Sequence, residues 1–185
     1  GLSSKMDILF ELVQKYEFPI KHISPTHVGR SKDLFEQALE FAKLGGMIDI
    51  TTGASKFMDP WKAVLYAKER GVSIDKLSFS SDGHAGLSKQ NADGQHIGFT
   101  KAPIYQNLKQ VQALVKEGNM DFSEALKLIT TNPAKNLSLK NKGRIQVGAD
   151  ADLCFFDDQY NLTDVVARGQ TMMKSGEVIV KGSFE

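Results

Sequence analysis

Two short segments of this chain carry the side chains best equipped for chemistry: Pro25-Thr26-His27-Val28-Gly29-Arg30 and Ser80-Ser81-Asp82-Gly83. The first offers an imidazole and, one short loop away, a guanidinium. The second offers a carboxylate that the following glycine leaves open to a metal or a substrate. Imidazole and carboxylate are both good zinc ligands, and a divalent ion held between them can position a water for attack on a carbonyl. Each residue also has a plain structural reading. His27 can be a satisfied histidine under a loop, Asp82 part of an ordinary Ser-Asp-Gly turn, and Arg30 a surface residue at the approach to the next helix. Chemistry requires that the two segments meet on one face, so the elements that carry them decide.

Those elements alternate. From Met6 to Tyr16, Leu9, Leu12, Val13 and Tyr16 recur at helical spacing behind the serine pair Ser3-Ser4, and Pro19 ends the run. Ile20 to Val28 reads as a strand, after which Ser31 opens a helix with Leu34, Phe35, Ala38, Leu39 and Ala42 on one face, closed by Gly45-Gly46. Met47 to Thr51 is a second strand, and Asp59-Pro60 starts a helix that runs to Gly71. Lys76 to Ser80 is a third strand, followed by a long glycine-rich loop and a helix from about Pro103 to Glu117; Ser123 caps one more helix before Pro133. Strands that alternate with helices pair in parallel, because each helix returns the chain to begin the next strand in the same direction. In a parallel barrel the site forms where strands end. His27 and Asp82 stand at two such ends, while the second end, Thr51-Thr52-Gly53, carries little signal.

Past Asn141 the texture becomes short β-rich runs, Ala151 to Phe156, Asp164 to Arg168 and Glu177 to Val180, parted by glycine turns. The expected fold class is α/β: residues 1–140 supply the closing βα units of a (β/α)₈ barrel, and residues 141–185 the strands of a small β-rich domain. Three parallel strands leave two open edges, and a (β/α)₈ barrel needs roughly 250 residues. With no initiating methionine before Gly1, the chain is expected to be a fragment that lacks the N-terminal part of its barrel.

Bulk properties narrow the function classes. The 23 Lys+Arg balance 22 Asp+Glu, and no basic run tracks a phosphate backbone, so nucleic acid is not an expected partner. No apolar stretch approaches the ~20 residues that span a bilayer, and the start lacks a secretion signal. The single cysteine, Cys154, reads as a buried thiol inside a strand, and a chain without an internal disulfide fits the reducing cytoplasm. His22, His84 and His96 are weaker candidates, the last two lying in the loop between Gly83 and Gly98, which reads as a lid, a substrate-contacting segment or plain surface.

Taken together, Pro25 to Arg30, the helix Leu34 to Ala42, Gly45-Gly46-Met47-Ile48-Asp49-Ile50-Thr51 and Ser80-Ser81-Asp82-Gly83 resemble the corresponding run of isoaspartyl (β-aspartyl) dipeptidases of the amidohydrolase superfamily. The tail, from Gly143-Arg144-Ile145 through Gly148 to Leu153 and on to Val166-Ala167-Arg168-Gly169, resembles the β domain that closes many amidohydrolases. The resemblance implies a two-zinc centre bridged by a carboxylated lysine, a dipeptide substrate linked through the aspartate side chain, and a homo-oligomer. It implies His27 as a ligand of the second zinc, Asp82 as metal ligand and general base, and Arg30 as the group that grips the free α-carboxylate. The family's His-x-His pair and bridging lysine have no counterpart here, and Ser88 stands in a loop that departs from the family pattern. Dihydroorotase-like enzymes, N-acyl-amino-acid deacylases and a non-catalytic α/β module are the alternatives.

Overall fold

The computed structural model describes residues 6–53 and 55–182, and within them the apolar periodicities of the sequence are cashed as packed faces. Helix α1 (Asp7–Gln14) is shorter than the apolar spacing predicts, and the Ser3-Ser4 cap lies outside the described residues. Helix α2 (Lys32–Lys43) follows the pattern closely. The Ser31 hydroxyl accepts from the Leu34 amide at 3.3 Å and caps it, and Phe35, Ala38, Leu39, Phe41 and Ala42 are buried. Gly45 ends the helix at φ +104°, with the Gly46 amide returned to the Phe41 carbonyl.

The next two units give the parallel sheet. Strand β1 (Ile48–Thr51) leads to helix α3 (Pro60–Glu69), which has proline at its first position, and then to strand β2 (Leu77–Ser80). β1 and β2 pair in parallel with Ile48 opposite Leu77 and Thr51 opposite Ser80. All four β1 residues are buried, as expected of a strand covered on both faces. Helix α4 (Gln106–Lys116), helix α5 (Phe122–Leu126) and helix α6 (Thr131–Asn136) complete this part. Asn132 is buried and its amide donates to the carbonyls of Ile74 and Leu77, each at 2.8 Å, tying α6 beneath β2. Ile48, Ile50, Leu77, Phe35, Leu39, Val64, Val111, Leu114 and Leu128 belong to one continuous core.

Several expectations are corrected. Residues 20–28 do not form a strand: they make a 3₁₀ turn at Ile20–His22, an extended stretch, and a second 3₁₀ turn at Val28–Arg30. Pro25 has no N–H to place in a ladder, and the pairing with β1 is the bond from the Asp49 amide to the Pro25 carbonyl, 2.9 Å. The loop after Asp82 is an antiparallel hairpin, strand β3 (Gly86–Gln90) and strand β4 (His96–Lys101), closed by an Asn91 side chain that accepts from the amides of Asp93 and Gln95. The helix expected behind Ser123 is capped instead by Asp121, whose carboxylate accepts from the Glu124 amide, and Pro133 sits in the first turn of α6 rather than beyond a helix end.

The β-rich tail is a four-stranded antiparallel sheet, strand β5 (Leu153–Phe156), strand β6 (Leu162–Ala167), strand β7 (Gln170–Lys174) and strand β8 (Glu177–Val178), in sequence order. It meets the α/β part through Phe122, whose ring lies 5.2 Å from Phe156 and 4.7 Å from Tyr160. Cys154 lies on β5 as expected but is exposed, because this sheet is not covered on both faces. Among the described residues, no helix is long and apolar enough to cross a membrane.

Candidate active site

The parallel register sets the site. Side chains alternate along a strand, so Asp49 and Thr51 of β1 share a face, and the register brings Ser78 and Ser80 of β2 beside them. Four polar residues at alternate positions of two otherwise apolar strands make a polar floor under the strand ends. Asp49 is only 8% exposed, yet its carboxylate is fully engaged. Oδ1 accepts from the Ser78 hydroxyl at 3.0 Å, and Oδ2 accepts from Ser80 at 2.5 Å and from Thr26 at 2.6 Å.

Above that floor the two candidate residues come together. His27 Nε2 lies 4.0 Å from Asp82 Oδ2, and His27 Nδ1 contacts the Thr51 hydroxyl at 2.9 Å. Both residues leave their segments in the left-handed region, His27 at φ +58° and Asp82 at φ +53°. Such a conformation costs about 1–2 kcal/mol for a residue with a Cβ and persists where neighbouring contacts over-determine it. Close backbone approach supplies that constraint. The Gly29 carbonyl accepts from the amides of Lys56 and Phe57, and the Thr52 amide donates to the Ser80 carbonyl at 2.7 Å. A Cβ on Gly83 would lie 2.5 Å from Ile104 Cγ2 and 2.9 Å from Ser81 Oγ, so a larger residue in this turn would displace both side chains.

Arg30 lies in the 3₁₀ turn after His27, is exposed, and its guanidinium makes no hydrogen bond or ion pair among the described residues. His22 lies in the earlier 3₁₀ turn, edge-on to Phe18. His84 sits at φ +66° at the base of the hairpin. Ser88 and His96 pair with each other across it at 2.9 Å, so neither joins the His27–Asp82 pair.

His27 and Asp82 fit part of a metal centre. Metal–ligand bonds of about 2 Å from each donor reach across a 4.0 Å gap, and both side chains are partly exposed, at 25% and 37%. They are two donors only, and among the described residues no cluster of three or more His, Cys, Asp or Glu converges. The residues that sequence reasoning missed are Asp49, Thr26, Thr51, Ser78 and Ser80. Their signal was present as polar residues two apart inside apolar strands, but it acquires meaning only once the register is known.

Comparison with known proteins bears on the family and the fold. The amidohydrolase-family model matches residues 18–182. A crystal structure of beta-aspartyl dipeptidase from Fervidobacterium islandicum AW-1 in complex with beta-Asp-Leu dipeptide is 35% identical, with TM-score 0.84 over 98% of this chain and 47% of that one. A second crystal structure of that dipeptidase gives 34% identity and TM-score 0.81, over 98% and 46% of the two chains. A deacetylase from Brucella anthropi is 28% identical over 134 residues, 72% of this chain and 29% of its own length. The chain therefore spans less than half the length of each of these relatives. By these likenesses β1 and β2 are an arc of a (β/α)₈ barrel, and β5 to β8 belong to the small β-rich unit that accompanies it.

Proposed function

Because this chain belongs to the amidohydrolase family, we propose that its protein is a zinc-dependent hydrolase of isoaspartyl (β-aspartyl) dipeptides. The observation that carries the reading is the meeting of His27 and Asp82 at 4.0 Å where their segments leave the polar floor. The substrate class draws support from the likeness to a dipeptidase crystallised with beta-Asp-Leu.

When bound, two zinc ions would lower the pKa of water to near ~7 and polarise the scissile carbonyl. His27 would give Nε2 to one ion, the Nδ1 side being occupied by Thr51. Asp82 would take the proton of the attacking water and return it to the leaving amine, since one carboxylate can serve both steps. Arg30, exposed and without a protein partner among the described residues, is the group for the substrate's free α-carboxylate. With two donors, these 185 residues alone are expected to be inactive, and the remaining ligands come from outside them.

Metal analysis of the purified full-length protein, paired with a substrate panel, tests this. Hydrolysis of an isoaspartyl dipeptide that a chelator abolishes and zinc restores is the expected result. Turnover of an N-acyl amino acid or a dihydroorotate in preference to the dipeptide would move the protein elsewhere in the family. Absence of both metal and hydrolysis would favour a non-catalytic module.

A further inference from the structure

The polar floor does more than fill space. Asp49 Oδ2 accepts from Thr26 Oγ1, which lies 3.4 Å from Thr51 Oγ1, which in turn lies 2.9 Å from His27 Nδ1. A hydroxyl has one proton to give. Thr26 gives its proton to Asp49, so in its contact with Thr51 it can only accept. Where the 3.4 Å contact is made as a hydrogen bond, Thr51 gives its own proton to Thr26 and accepts from His27. In that arrangement the chain of donors runs one way, from imidazole to carboxylate, with the His27 proton on Nδ1. Nε2 is left with a bare lone pair on the side that faces Asp82, 4.0 Å away.

We propose that Asp49 is a positioning residue that, through Thr26 and Thr51, holds His27 in the Nδ1–H tautomer with Nε2 free to bind a metal. The proposal rests on the reading of His27 as a ligand and adds the group that orients it. A ligating imidazole needs its other nitrogen fixed by a hydrogen bond, and loss of such a partner typically weakens metal affinity 10–100-fold. Asp49 is suited to the task by its placement. The same Oδ2 also accepts from Ser80, two residues before Asp82, so one buried oxygen ties together the segments that carry both candidate ligands. The 3.4 Å step between Thr26 and Thr51 is the weakest link of the relay, which makes Thr51 the residue at which to break it.

The experiment uses the full-length protein and the variants Thr51→Val, Thr51→Ser and Asp49→Asn. Zinc affinity is measured by competition with a chelator, the melting temperature is followed in parallel, and ¹⁵N NMR reports the His27 tautomer in metal-free protein. Thr51→Val keeps the shape and removes the hydroxyl, so it is expected to bind zinc about 10–100-fold more weakly and to lose the Nδ1–H pattern. Thr51→Ser should return both to within about threefold of wild type, and Asp49→Asn should shift the tautomer if it folds. A merely structural Asp49 would lower the melting temperature and leave the tautomer unchanged. Wild-type zinc affinity and an intact Nδ1–H signal in Thr51→Val would overturn the relay. If the wild-type protein bound no zinc, the reading of the metal site would fail instead. The tautomer alone would then decide the relay, which an Nε2–H wild type contradicts.

Discussion

Gly53 tests whether the gap between the ends of β1 and β2 sets the geometry of the site. A Cβ at this position would lie 2.7 Å from the carbonyl oxygen of Ser81, about 0.7 Å inside the ~3.4 Å of ordinary contact. The obstacle is backbone, so no rotamer change relieves it. Gly53→Ala must push the Ser81 peptide away, and Ser81 immediately precedes Asp82. The same movement strains the Thr52 amide bond to the Ser80 carbonyl, now 2.7 Å. Overpacking of this kind costs about 1–3 kcal/mol of stability. A displacement approaching 1 Å at a reacting group can cost on the order of a hundredfold in rate, so a shift of several tenths predicts roughly a tenfold or greater loss of kcat/KM. Gly45→Ala is the control. Its φ of +104° makes alanine strained by about 1–2 kcal/mol, yet nothing lies within 4 Å of the added carbon. It should lower the melting temperature and leave kcat/KM on an isoaspartyl dipeptide unchanged. Wild-type turnover by Gly53→Ala, or an equal loss of turnover in both variants, would refute the argument that this contact governs Asp82.

Three further outcomes are expected. Arg30→Met keeps the apolar stem and removes the fork, so zinc content should hold while KM for an isoaspartyl dipeptide rises roughly 30-fold, from the ~2 kcal/mol at the low end of a truncated charge pair that suits so exposed a residue; a change within a few-fold would reject the carboxylate clamp. Asn132→Ala strands the Ile74 and Leu77 carbonyls in the interior, and chemical denaturation should show a loss of about 2–4 kcal/mol, against which a loss below ~0.5 kcal/mol would argue. Lys142 first, and then the Arg168 amide, hold the Asp152 carboxyl below its ordinary range, so their contribution is present above about pH 4 and is lost as pH falls through the lowered value; hydrogen exchange around residues 142–152 should accelerate only below that range.

What the sequence disclosed depended on how much of each element is buried. Helix α2 was legible because its apolar stripe, serine cap and closing glycine all agree, and β1 and β2 because a strand covered on both faces reads as an apolar run. The hairpin was not legible. Phe99 is 74% exposed and Ile97 54%, so neither strand presents a buried face to impose a period of two. Residues 20–28 failed for the opposite reason: their loose alternation imitates a strand, but Pro25 cannot donate and the chain there is held by turns. Pro133 misled because proline is compatible with the first turn of a helix as well as with its end. Asp82 stood out from its position just beyond β2, and His27 from the end of an expected strand that is in fact held by turns, whereas Asp49 looked like one polar residue in an apolar run.

That contrast bears on how the site is built. The loops can be read one at a time, but the agreement between them is a property of register. Asp49 faces Ser78 and Ser80 because β1 and β2 pair in parallel with Asp49 opposite Ser78, and a slip of one residue would turn Asp49 to the other face and separate it from Thr26. Three hydroxyl bonds to one buried carboxylate contribute about 1.5–3 kcal/mol each, but much of that offsets the cost of taking the carboxylate out of water. What remains is chiefly geometric. His27 and Asp82 both occupy the left-handed region, and Asp49 beneath them accepts from Thr26 and Ser80 in the two segments that carry them. Substitutions in the floor should therefore alter zinc affinity and turnover together, whereas substitutions at exposed Arg30 should alter substrate binding and leave the metal in place.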